Sequence, residues 1–214
     1  VSLCSRLLDV ANRSSFRRTG EPILHLRDAI ASMGVPMALN QGLALTLDVS
    51  AAFSSEVLVT CAMEHQKQAE TVALEAQRVA LALGKSSPQF FTAGLLRRIG
   101  ELVVLKVIDQ FQRQGGELDD EQVSQSLRDW AQPYGNKLKI QWFLPIELRQ
   151  LIGAVHYLQR ENVTQERLIM RAGALMAEKE PAEAELGKIL RQLGLDEWQN
   201  QPSENDQKNE GGRE

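Results

Sequence analysis

Residues 92–104 read TAGLLRRIGELVV, an apolar segment that carries two adjacent arginines. Arg97 and Arg98 are the only charges between Lys85 and Glu101. Leu95, Leu96, Ile99, Leu102 and Val103 recur at steps of three and four, the period of one helix face. Ser87-Pro88 supplies a start signal, with serine as N-cap and proline in the first turn. The pattern predicts one helix from Pro88 to about Gln114, stopped by Gly115-Gly116. A helix apolar on most sides is a central one.

The same periodicity runs outward in both directions. Leu58, Ala62, Ala69, Val72, Ala76, Val79 and Leu83 trace one face of a long amphipathic helix over 55–83, with His65 filling the same spacing. Gly84 closes it. Downstream, Asp119 caps a short helix to Trp130, AQPYGNK makes a turn, and Pro145 opens a helix through His156 to about Arg160. Thr164 caps the next helix and Pro181 opens a last one that ends at Gly194. Strand signals are nearly absent. The expected fold is all-α, a single multi-helix domain over residues 1–196. Residues 197–214 are expected to form a disordered polar tail, since nothing from Gln199 on is apolar.

Bulk composition excludes several classes. The chain has 214 residues, long enough to bury a substantial core, and a net charge of −4 gives it no general affinity for nucleic acid. Aromatics make up only 5%, too few for a base-stacking platform. Cys4 and Cys61 form neither a C-x-x-C pair nor a zinc pattern, which suits a reduced, cytoplasmic setting. Residues 29–47 carry no charge, yet Gly34, Pro36, Asn40, Gln41 and Gly42 interrupt them, so a buried helix pair is expected and no membrane association. With no signal-peptide pattern, the sequon at Asn12 is read as accidental.

The segments LLDVANRSSF, LRDAIASMG and TAGLLRRIGELVV, in that order, resemble the HDOD (HD-related output domain) family from about Leu3 to about Leu195. The resemblance implies an HD-like helical fold and a place in bacterial signalling proteins, often beside receiver domains or cyclic-dinucleotide enzymes. Family domains carry further helices before the first of these segments, so the chain is expected to be a fragment or to lack them. HD phosphohydrolases hold metal with His, a His-Asp doublet and a later Asp. The metal acidifies bound water, and the resulting hydroxide attacks phosphorus. Where the enzymes read G-L-L-H-D-I-G, Gly94 to Gly100 read G-L-L-R-R-I-G. Arginine has no lone pair and stays protonated, so Arg97 and Arg98 repel a divalent ion. The later Asp aligns with Gly173.

From these residues we expect no metal, no cofactor and no catalysis. His65 and His156 match histidine positions of the wider pattern and are read as packing residues, and His25 as a surface residue. Glu101 lies four residues from Arg97 and three from Arg98, so local ion pairs are available. The five residues Arg97, Arg98, His65, His156 and Glu101 form a possible anion or interaction site. Its partner would be a signalling protein, or a phosphate or nucleotide, since guanidinium matches phosphate oxygens. Asp119, Asp120 and Glu121 are read as helix-start acids and Cys61 as a core residue without an activating neighbour. The contrasting readings are a degenerate metal-dependent phosphohydrolase that uses His65 and His156, and a purely structural helical scaffold.

Overall fold

The computed structural model describes residues 3–12, 22–47, 53–158 and 163–195. Among these residues every regular element is a helix: α1 (Leu3–Ala11), α2 (Leu26–Met33), α3 (Val35–Leu47), α4 (Glu56–Ala82), α5 (Pro88–Leu96), α6 (Ile99–Arg113), α7 (Asp120–Gln141), α8 (Ile146–Ala154), α9 (Gln165–Met176) and α10 (Glu183–Leu193). The fold is all-α, as its periodicities require. The stretch read as a polar tail lies outside the described residues.

Helix α4 is the spine. Its Leu58, Ala62, Ala69, Val72, Ala76 and Val79 are all buried, the stripe its 3.6-residue period lays down. Gly84 then turns the chain away at φ 67°, a left-handed conformation that favours glycine. The C-terminal half of α4 packs with Phe90, Ile152, Ile169, Met170 and Leu190 in the larger core. Its N-terminal half packs with Val104, Leu105, Ile108 and Val123 in a second one. Each fully buried Phe or Leu here is worth about 1.5–3 kcal/mol over an exposed one. Asp109 on α6 closes the lower end. It accepts from Ser54 N at 2.7 Å, Ser54 Oγ at 2.6 Å and Arg113 Nε at 2.7 Å, and those bonds hold its carboxyl down to about 2.

Three helix crossings depend on missing side chains. A Cβ on Gly94 would lie 2.7 Å from the Ala73 nitrogen, where α5 crosses α4. One on Gly173 would lie 2.6 Å from Ala76 Cα, where α9 crosses it one turn further. At Gly100 the obstacle is α7, with the Ala131 carbonyl carbon 2.8 Å away and the Gly135 nitrogen 3.1 Å away.

Three expectations need correction. The predicted helix from Pro88 to Gln114 is two helices, broken at Arg97-Arg98 between α5 and α6. The break redirects the chain from one core to the other: Phe90, Ala93 and Leu96 enter the larger core, Val104, Leu105 and Ile108 the second. Nor is the whole segment central, since Val107 is 61% exposed on α6. AQPYGNK is not a turn, because α7 runs from Asp120 to Gln141 straight through Pro133. A proline inside a helix costs about 3 kcal/mol, and the close seating of Ala131 and Gly135 on Gly100 offsets it. The helix opened by Pro145 ends at Ala154, which leaves His156 in a turn.

Other local signals hold. Asp119 accepts from the Gln122 backbone at 2.8 Å, and the Gln122 side chain returns a bond to Asp119 N at 3.0 Å, a capping box. Thr164 caps α9 through Arg167 N. Residues 29–47 fall on α2 and α3, parted at Gly34, and no described helix is long and apolar enough to cross a membrane.

Candidate functional site

Arg97 and Arg98 sit at the α5–α6 break, where the two cores adjoin. Neighbours in sequence, they belong to different environments. Arg98 lies against α4. Its Nη1 is 2.8 Å from His65 Nδ1 and 3.1 Å from Glu101 Oε1, and its Nη2 donates to Gln68 Oε1. His65 and Gln68 are three residues apart on α4, so one turn presents both to the same guanidinium.

The direction of the Arg98–His65 bond follows from donor chemistry. Guanidinium has no acceptor, so His65 Nδ1 must accept and its proton must sit on Nε2. That proton faces Cys61 Sγ at 3.8 Å. Both ring nitrogens are therefore engaged. Burial, then the charges of Arg98 and Arg97, hold the His65 imidazole down to about 4, so it is neutral at pH 7. Its nearness to Cys61 corrects the expectation that this thiol has no histidine beside it. The thiol is not activated: burial and Glu64 raise its pKa against the pull of Arg98.

Arg97 faces the other way, into a cleft of about 250 Å³ where α6, α7 and the end of α8 meet. Glu101, Asn136, Lys139, His156 and Tyr157 share that lining. The Nε and Nη1 atoms of Arg97 are buried and have no hydrogen-bond partner. Burial and the adjacent Arg98 push its pKa down to about 10, against the pull of Glu101 and Glu178, so it remains a cation at neutral pH. Lys139 is pushed down by burial and partly restored by Glu101. His156, at the mouth of the cleft, is lowered to about 4 by loss of water on its inner side, then by Arg97, Arg98, Lys139 and Arg171. Arg171 itself is occupied by a two-bond pair with Glu185.

All five residues expected at the site thus share one region. Arg98 bonds both His65 and Glu101, while Arg97, Glu101 and His156 line the cleft. Asn136 was missed because it lies in the stretch read as a turn, and Lys139 because it follows that stretch and was assigned to no helix. As helical residues at positions i and i+3 they project from one face. His25 is exposed at the start of α2, as expected of a surface residue.

Residues of this kind do not fit a divalent metal. The ring nitrogens of His65 have no free lone pair, the neighbouring Arg97 and Arg98 are guanidiniums without one, and Gly173 has no side chain and is closed off by Ala76. Among the described residues no cluster of three or more His, Cys, Asp or Glu could hold a metal ion.

The family model of the HDOD domain matches residues 1–158. Among solved structures, a protein of Shewanella amazonensis SB2B, crystallised as a candidate metal-dependent phosphohydrolase, superposes with a TM-score of 0.69 at 19% identity. The match covers 91% of this chain and 71% of that one, and at this identity it shows a common fold. The response regulator MmoQ of Methylococcus capsulatus str. Bath also matches, at 17% identity and a TM-score of 0.44, over 96% of this chain and 83% of that one. No curated protein matches the sequence.

Proposed function

Because the chain belongs to the HDOD family, we propose that it is a non-catalytic module of bacterial signal transduction, acting by binding a protein partner or a small anionic ligand. One observation carries the reading. The Arg98 guanidinium sits at the position of the metal doublet and takes the Nδ1 lone pair of His65, the imidazole a metal would need. In place of an electrophile that activates water, the site holds fixed positive charge. Such charge can hold an anionic group but cannot make hydroxide at neutral pH.

The test is metal content and turnover together. Elemental analysis of the purified protein should find no stoichiometric Mn, Fe, Zn or Ni. Phosphomonoesters and phosphodiesters should remain intact with added manganese. One tightly held metal per chain, lost on His65→Ala, would overturn the reading and restore a phosphohydrolase.

A further inference from the structure

We propose that the cleft between α6, α7 and α8 is a binding site for a small phosphorylated ligand, with Arg97 as its anchor. The proposal rests on the reading that no metal occupies this region, and it names the ligand class.

The first ground is an unmet demand for acceptors. Arg97 has two buried nitrogens without a partner, although guanidinium is the side chain with the most N–H groups to satisfy. Arg98 beside it bonds His65, Gln68 and Glu101 through its two Nη atoms and leaves only Nε without a partner. Glu101 is engaged by Arg98 at 3.1 Å, and one carboxylate does not neutralise both cations.

The second ground is charge. Arg128 is paired with Glu121 at 2.6 Å and Arg171 with Glu185 at 2.7 Å, so neither contributes a free cation. With Arg98 and Glu101 set against each other at 3.1 Å, Arg97 and Lys139 face Glu178, two cations to one carboxylate. Glu178 is exposed and screened by water, so the interior of the cleft is positive. Burial, and then this field, hold both histidines of the region neutral.

The third ground is geometry. The Arg97 guanidinium from the α5–α6 break, and ammonium and carboxamide from Lys139 and Asn136 on α7, surround one space of about 250 Å³. Those donors suit a group with several oxygens and two negative charges, which is phosphate rather than carboxylate. The volume falls just short of the roughly 300–1,000 Å³ of clefts that hold drug-sized ligands. A phosphate group with a small organic body fits, and Tyr157 at the rim offers that body an apolar surface.

Inorganic phosphate is the probe, added to the intact protein in EDTA, with sodium chloride at matched ionic strength as control. Phosphate should raise the thermal midpoint by roughly 3–6 °C once it reaches ten times its Kd. It should also raise the pKa of the His156 imidazole, read by NMR. Arg97→Met should abolish both effects with the helical signal intact, and Lys139→Met, at a half-buried position, should weaken both. Equal shifts with chloride, or a phosphate shift that survives both substitutions, would overturn the proposal alone. A shift that vanishes in EDTA and returns with manganese would overturn it together with the non-catalytic reading.

Discussion

Arg98 donates from Nη1 to Nδ1 of His65 across 2.8 Å, a bond that joins the α5–α6 break to the spine helix α4. The guanidinium thereby takes the Nδ1 lone pair of the histidine. Two sequence positions 33 residues apart become one structural unit. Removing Arg98 leaves the largely buried Nδ1 of His65 unpaired, at a cost of about 1–3 kcal/mol.

The His65 imidazole should titrate near 4 in the native protein. In Arg98→Ala its pKa should rise, because the nearer of two repelling cations is gone. It should stay below 6.5, because burial is the larger cause and remains. NMR of the ring protons across pH 3.5–7.5 checks this. An unchanged midpoint would mean that the Arg98–His65 contact is absent in solution.

Stability should fall as pH drops from about 6.5 to about 4. Over that window the unfolded chain takes up protons at His65 and His156 that the folded chain, with both pKa values near 4, does not bind. Below 4 the penalty is complete and constant. For His65 it is roughly 2 kcal/mol after allowance for solvent screening. His65→Gln keeps an acceptor for Arg98 and cannot be charged, so its urea midpoint should vary less between pH 7 and pH 4.5 than that of the native chain. Parallel curves for the two proteins would contradict the assignment.

Glycines at the crossings should behave differently from a glycine in open space. Gly94→Ala, Gly100→Ala and Gly173→Ala each force a methyl against the backbone of a neighbouring helix and should cost on the order of 1–3 kcal/mol or more. Gly187→Ala on α10 meets nothing within 4 Å and should be neutral or stabilising, by about 0.5–1 kcal/mol. Chemical denaturation of the four variants ranks them. A tolerated Gly173→Ala would mean that α9 does not cross α4 at Ala76.

Deleting residues 199–214 should leave the thermal midpoint within about 1 °C, since that stretch has no apolar residue to bury. A drop of several degrees would show that it packs on the domain.

Much of the fold was legible because its signals are local. The stripe from Leu58 to Val79 needs only a period, the Asp119 cap only three residues, and the fixed charge at Arg97-Arg98 only the chemistry of guanidinium. Helix α7 was misread for the opposite reason. Pro133 is a local stop signal, and what overrides it is the Gly100–Gly135 approach to another helix. That error hid half of the cleft, since Asn136 and Lys139 share a face only if the helix continues.

By itself the sequence determined an all-helical chain with two adjacent permanent cations, Arg97 and Arg98, inside an apolar segment. Residue type alone decides whether a lone pair exists. Tertiary structure decided what each cation does: Arg98 finds three acceptors on α4 and α6 and leaves only Nε unpaired, and Arg97, one residue earlier, finds none for Nε and Nη1. The two side chains are identical, so only their surroundings distinguish them. Those surroundings are set by helices that meet across long sequence separations, at glycines whose close approach no local pattern announces.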